Sequence, residues 1–149
     1  MKIQSKILVL LLSILLFGGF AALTATADSD KVHKLAIHVD TSDLKIINMA
    51  LNNATNVTKH YGVGEVDIVI VGYGPGLTMF KSDSKVADRL RALNAFGNVK
   101  FGVCKNTMDK MKLSNKDLIS DAFIQEAVVP SGVVHLIELQ EQGYSYVKP

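Results

Sequence analysis

The chain has 149 residues, of which 16 are lysine or arginine and 14 are aspartate or glutamate, so its formal charge is only +2 at pH 7. So small a charge, without a long basic run, gives no electrostatic basis for binding nucleic acid or an anionic membrane surface. Cys104 is the only cysteine, which excludes an intramolecular disulfide.

The first 27 residues have the pattern of a secretory signal peptide. Lys2 and Lys6 precede an uncharged apolar run over residues 7–20, and Ala25-Thr26-Ala27 is a small-x-small sequence of the type that signal peptidase cleaves. The apolar run is shorter than the ~20 residues that span hydrocarbon as a helix, which favours cleavage over an uncleaved anchor. We therefore predict cleavage after Ala27 and an exported, periplasmic or otherwise extracytoplasmic protein without stable membrane insertion. Its mature part, residues 28–149, is formally neutral and of a size for one domain.

Beyond this leader, short β-rich apolar runs alternate with stretches of helical spacing, which is the pattern of an α/β protein. Apolar side chains recur every three or four positions over residues 44–61, after a polar segment that suits a helix N-cap. The nearly continuous apolar run at 66–71 is typical of a central strand covered on both faces. The predicted strands are 35–39, 66–71, 99–103, 127–129 and 144–148, and the predicted helices are 44–61, one from about 84, 105–111, a short one near 114–117, and 133–142.

Right-handed crossovers between such strands predict a mainly parallel sheet of about five strands with helices on both faces. The strand-to-helix junctions then lie along the carboxyl edge of the sheet, where open α/β sheets form their sites. These junctions are residues 40–43, 72–77, 104–107 and 130–132. Cys104 therefore lies on the predicted functional edge.

Two interpretations of Cys104 follow from the residues around it. If a strand ends and a helix begins there, the helix dipole, the free amides of Asn106 and Thr107 and the neighbouring Lys105 all favour a thiolate. Free cysteine is also among the residue types most often buried as packing. The spacing alone is compatible with both.

Other motifs do not indicate a cofactor or a metal. Gly72-Tyr73-Gly74-Pro75-Gly76 lacks the spacing of a phosphate-binding loop, and Pro75 removes an amide that such a loop uses, so we predict a tight turn or the wall of a site. His33 and His38 lie an odd number of positions apart on one strand and face opposite sides, so they cannot share a metal. His135 and Glu138 can be neighbours on a helix, and we interpret them as a solvated or core-edge pair.

A series of segments, in this order and spacing, resembles the DsrE/DsrF-like family and in particular its exported branch. The segments are Leu35-Ala36-Ile37-His38-Val39-Asp40, Ala50-Leu51-Asn52-Asn53-Ala54-Thr55-Asn56, Val69-Ile70-Val71-Gly72-Tyr73-Gly74-Pro75-Gly76, Val99-Lys100-Phe101-Gly102-Val103-Cys104-Lys105-Asn106-Thr107, Val129-Pro130-Ser131-Gly132 and Gln140-Glu141-Gln142-Gly143-Tyr144. The resemblance covers residues 34–149. It implies a flavodoxin-like α/β fold, a homo-oligomer that is a trimer or a hexamer, and a cysteine that carries sulfur as a persulfide, with Cys104 at the matching position.

These observations lead to the hypothesis of an exported sulfur-handling protein, either a sulfurtransferase or a sulfur carrier. Cys104 would accept sulfane sulfur from a small sulfur compound or a thiol protein and pass it on. Lys105 and the amides of Asn106 and Thr107 would support the thiolate, and the pocket would be shaped by Gly74, Gly76, Pro130, Ser131 and Gly132. The alternative is a non-enzymatic oligomeric binding or assembly module in which Cys104 is structural.

Overall fold

A parallel sheet of five strands organises the protein in a computed structural model that describes residues 32–149. The predicted signal peptide lies outside the described residues. The strands are β1 (His33–Val39), β2 (Val66–Gly72), β3 (Val99–Cys104), β4 (Val128–Val129) and β5 (Ser145–Val147), in the spatial order β4-β3-β2-β1-β5. Every neighbouring pair is parallel. The predicted fold class, a flavodoxin-like α/β sheet with helices on both faces, is confirmed.

Helices cover the two faces of the sheet unequally. The helices are α1 (Leu44–Tyr61), α2 (Ala87–Asn94), α3 (Lys105–Lys110), α4 (Ala122–Gln125) and α5 (Gly132–Glu141). The first four contribute buried side chains such as Leu51, Leu90 and Met108 to a large core on one face. Helix α5 packs on the opposite face, where Leu136 and Leu139 meet Ala36, Val69, Val71 and Tyr144 in a smaller core. None of the helices described in residues 32–149 has both the length and the apolar character needed to cross a membrane.

Helix α1 has the bounds that its apolar spacing predicts. Its N-cap residue, Asp43, accepts a hydrogen bond from the Lys45 N–H at 2.8 Å through Oδ1. Its end coincides with Gly62, whose φ of +100° is a left-handed conformation that favours glycine. Ile47, Ala50, Leu51 and Ala54 form the buried stripe.

Several segments differ from the sequence prediction. Helix α2 begins at Ala87, three residues after the predicted start, because Ser84 forms a turn in which its Oγ accepts from the Val86 N–H at 3.3 Å. The segment Gly74–Phe80, whose first three residues were predicted as part of a tight turn or the wall of a site, is a 3-10 helix that buries Leu77, Met79 and Phe80. Helix α4 is absent from the prediction, since four residues are too few to show helical spacing.

The chain passes to opposite faces of the sheet after β3 and β4. After β3 it enters α3, which packs into the large core through Met108, and after β4 it enters α5 on the other face. A crevice opens at the carboxyl edge of an α/β sheet where successive connections diverge in this way. Cys104 and Gly132 lie at the two sides of this divergence.

We predict that Gly76→Ala destabilises the protein. A Cβ on Gly76 would lie 2.5 Å from the carbonyl carbon of Val39 and closer still to its oxygen, so β1 and the Gly74–Phe80 segment must move apart. Such overpacking costs about 1–3 kcal/mol, to be measured as a loss in the free energy of unfolding in urea. Gly64→Ala is the control, because nothing lies within 4 Å of its added Cβ. Equal stabilities of the two variants would contradict the close approach.

Candidate functional site

The candidate site is built around Cys104, the last residue of β3. The side chain is 4% exposed, and α3 begins at the next residue. Parallel pairing of β2 with β3 places Gly72 opposite Val103, so the turn after β2 lies beside the thiol. The segment after β4 lies on the other side, because Cys104 itself pairs with Val129.

Hydrogen-bond donors converge on the Cys104 sulfur. Burial raises the pKa of the thiol, but hydrogen bonds from the Thr107 hydroxyl and from the backbone N–H groups of Gly132, Thr107 and Asn106 outweigh burial and hold the pKa below its ordinary value. All of these donors are uncharged. The sulfur is therefore buried in a setting that favours the thiolate.

The Thr107 side chain is oriented by the turn after β2. Its Oγ1 accepts a hydrogen bond from the Gly74 N–H at 3.0 Å, which leaves the hydroxyl proton for the sulfur. Gly74 itself has a φ of +52°, a left-handed conformation. The Thr107 hydroxyl thus links the ends of β2 and β3 beside the Cys104 sulfur.

Gly132 forms the opposite wall of the site. A Cβ at this position would lie 2.8 Å from Cδ1 of Tyr73 and 3.2 Å from Cβ of Cys104, so a larger residue would push the two side chains apart. The Asn106 N–H, which also interacts with the sulfur, lies 3.3 Å from the carbonyl oxygen of Pro130. The segment after β4 is therefore held directly against the first turn of α3.

Comparison with known proteins gives a family. A family model described as the DsrE/DsrF-like family matches residues 21–149. The chain belongs to the DsrE/DsrF-like family. No curated protein matches the sequence significantly.

One solved structure has the same fold as this DsrE/DsrF-like protein. The protein of unknown function MTH1491 from Methanobacterium thermoautotrophicum superimposes with a TM-score of 0.70 at 26% sequence identity. The match covers 78% of this chain and 99% of that one. The family resemblance inferred from the sequence is thus confirmed.

The structure brings most of the predicted site residues of this DsrE/DsrF-like protein together. Asn106, Thr107 and Gly132 lie directly beside Cys104. Gly74 and Pro130 are hydrogen-bonded to Thr107 and Asn106. Three other predicted residues lie nearby in different settings. Gly76 packs on the backbone of Val39, the Ser131 carbonyl accepts the His135 N–H at 3.0 Å at the start of α5, and the Lys105 ammonium pairs with Asp109. Whether these residues act in a reaction stays a prediction.

A cluster that the sequence did not reveal lies along the same edge, on the face that carries α5. The imidazole of His38 stacks on Tyr73 with ring centroids 4.4 Å apart, and its Nδ1 lies 2.7 Å from the Tyr146 hydroxyl. Lys148 donates to Asp40 at 2.5 Å beside them. Burial is the main cause that lowers the pKa of His38 and raises the pKa of Tyr73. Strand alternation places His38 on this face, but the position of Tyr146 depends on the pairing of β5 with β1, which no local pattern indicates.

His33 and His135 make contacts separate from those of His38. His33 stacks on Tyr61 with ring centroids 3.8 Å apart, on the other face from His38. Nδ1 of His135 lies 3.6 Å from Oε2 of Glu138. In the described part of the chain, no three histidine, cysteine, aspartate or glutamate side chains group as metal ligands would.

We predict that Thr107→Val raises the pKa of Cys104. Valine has the shape of threonine without the hydroxyl, so the thiolate loses a donor and the Gly74 N–H loses its acceptor. A hydrogen bond to an anion contributes about 1.5 kcal/mol, so the alkylation rate of the thiol, measured on the rising part of its pH profile, should fall about tenfold. Thr107→Ser keeps the hydroxyl and should react like the natural protein. Equal rates for the valine and serine variants would exclude the hydroxyl as a source of the shift.

Proposed function

We propose that this protein accepts sulfane sulfur on Cys104 and passes it on as a persulfide. Membership of the DsrE/DsrF-like family supports a sulfur-relay-like role at the level of the family. The observation that carries the finer proposal is the place of Cys104 at the end of β3, between the turn after β2 and the segment after β4, where neighbouring O–H and N–H groups lower the pKa of the thiol. A thiolate is the nucleophile in sulfur exchange, and these donors stabilise it.

The transfer needs one cysteine and two exchange steps. In the first, the Cys104 thiolate attacks the outer sulfur of a donor R–S–SH, a bond forms between Sγ and that sulfur, and the donor's S–S bond breaks with its electron pair leaving on R–S⁻. The hydrogen remains on the transferred sulfur. In the second, an acceptor thiolate attacks the outer sulfur of the Cys104 persulfide and releases the Cys104 thiolate again.

The hydrogen bonds at the sulfur favour this proposal over a binding or assembly module with a structural cysteine. A cysteine buried only as packing lies among apolar groups, which raise its pKa and slow its reactions. The Cys104 thiol instead has a hydroxyl and backbone N–H groups beside it, which lower its pKa. Its place at the divergence of the β3 and β4 connections is also where α/β sheets bind their ligands.

Assembly and export are further parts of the proposal. Helix α5 exposes about half of each of Val133, Val134 and Ile137, at 52%, 48% and 51%. Neighbouring exposed apolar side chains of this kind mark contact surfaces between proteins. We propose that copies of the chain associate through this side of α5, in the trimer or hexamer that the family implies. Export rests on the leader sequence of residues 1–27.

We predict that polysulfide adds sulfur to the protein in discrete mass steps and that Cys104→Ser abolishes them. Intact-mass spectrometry of the folded protein measures the steps, and size-exclusion chromatography with light scattering compares the assembly of the two proteins. The variant should keep its assembly, because the serine hydroxyl is close in size to the thiol. The natural protein unfolded in urea is the control for the thiol without its donors, and it should react more slowly at neutral pH. No sulfur uptake by the folded protein would contradict the proposal, and an unfolded Cys104→Ser would identify Cys104 as structural.

A further inference from the structure

The C-terminal strand β5 has little apolar attachment to the rest of the domain. Its three side chains are all exposed, and it pairs with β1 over only three residues. The residue before it, Tyr144, is buried in the smaller core, and its hydroxyl donates to Asp67 at 2.7 Å. A short edge strand at a chain terminus is among the parts of a protein that open most easily. Residues 145–149 are therefore held mainly by the backbone ladder and by polar side-chain contacts.

Two such contacts join the C-terminal segment to the end of β1. The Tyr146 hydroxyl lies 2.7 Å from Nδ1 of His38, and the Lys148 ammonium donates to Asp40 at 2.5 Å. In each pair the two residues are 108 positions apart in the sequence. The position of β5 therefore depends on the state of His38.

His38 is buried in a setting that suits only the neutral ring. The side chain is 4% exposed, Tyr73 stacks on a face of the ring, and Nε2 meets no donor or acceptor in residues 32–149. A neutral ring can carry its one proton on Nδ1 and donate a hydrogen bond to the Tyr146 oxygen, which leaves Nε2 as a bare lone pair. Protonation adds a second N–H, at Nε2, that has no acceptor. A buried charged donor without a partner is costly.

The titratable and charged groups around this ring are Asp40, Lys148, Tyr73 and Tyr146. Asp40 favours the charged ring and Lys148 opposes it. Burial has a larger effect than either, and it lowers the pKa of His38 below its ordinary value. The tyrosines contribute no charge near neutral pH, and the buried residues of α5 on this face are glycine and leucine. No neighbouring charge therefore compensates for burial of the imidazolium.

Opening of β5 returns the imidazole to water, where histidine has a pKa of about 6.5. Above this pH the ring is neutral in both states, and the docked strand has its full stability. As the pH falls below about 6.5, the opened state takes up the proton first, so docking weakens until the docked ring is protonated as well.

We propose that β5 is a pH-sensitive strand, docked on β1 at neutral pH and shifted towards a released state by protonation of His38 in mildly acidic solution. Release also separates Lys148 from Asp40, so both side-chain contacts are lost together. The released strand uncovers the backbone N–H and C=O groups at the edge of β1, which can then pair with another strand. This inference does not depend on sulfur chemistry at Cys104.

Amide hydrogen exchange of residues 145–148 tests this proposal. Protection factors, which correct for the intrinsic pH dependence of exchange, should be constant above about pH 6.5 and fall by up to tenfold per pH unit below it. His38→Asn should remove this pH dependence, because an asparagine amide can hydrogen-bond to Tyr146 but does not titrate. His33→Asn is the matched control, because this histidine of β1 stacks on Tyr61 instead and its loss should leave the pH dependence unchanged.

Three results would overturn the proposal. They are constant protection from about pH 7.5 to about pH 5 in the natural protein, a pH dependence that persists in His38→Asn, and one that disappears in His33→Asn. If His38→Asn does not fold, NMR titration of the His38 ring in the natural protein decides. An inflection at or above about pH 6.5 would contradict the proposal, because protonation would then stabilise the docked strand. An inflection at a lower pH, together with the fall in protection, would support it.

Discussion

The Thr107 hydroxyl is the group on which the geometry of the site depends. It accepts a hydrogen bond from the Gly74 N–H after β2 and donates a hydrogen bond to the sulfur at the end of β3. This arrangement requires the two strand ends to lie side by side, which the parallel register of Gly72 with Val103 provides. The packing of the core and the protonation state of the Cys104 thiol are therefore linked, because a shift of either strand would move a donor away from the sulfur.

Neutral groups at the site replace the positive charge that thiolates often have nearby. The one cation next to Cys104 in the sequence, Lys105, pairs with Asp109 on the surface of α3. Buried hydrogen bonds are screened by salt much less than exposed charges are. The thiolate therefore depends on the positions of backbone and hydroxyl dipoles, and these positions depend on close contacts such as that of Gly132 with Tyr73.

Much of the fold can be predicted from the sequence, because the patterns that indicate each helix, strand and turn are local. The apolar spacing of α1, the continuous run of β2 and the glycines at turns each reflect a single element, and right-handed crossovers then place Cys104 at the carboxyl edge. The Gly74–Phe80 segment has no such spacing, so its buried side chains are visible only in the structure. The contact of His38 with Tyr146 joins residues 108 positions apart, through a three-residue strand whose partner no local pattern identifies. The site was therefore predicted around Cys104 and missed around His38.

The central claim is that the folded protein holds Cys104 as a thiolate through these donors. The most direct measurement is the rate of alkylation of Cys104 as a function of pH, in the folded protein and in the same chain unfolded in urea. Our account predicts that the inflection of the folded protein lies at a lower pH than that of the unfolded chain, because the donors to the sulfur outweigh its burial. An inflection at the same or a higher pH in the folded protein would contradict the account and identify Cys104 as a packing residue.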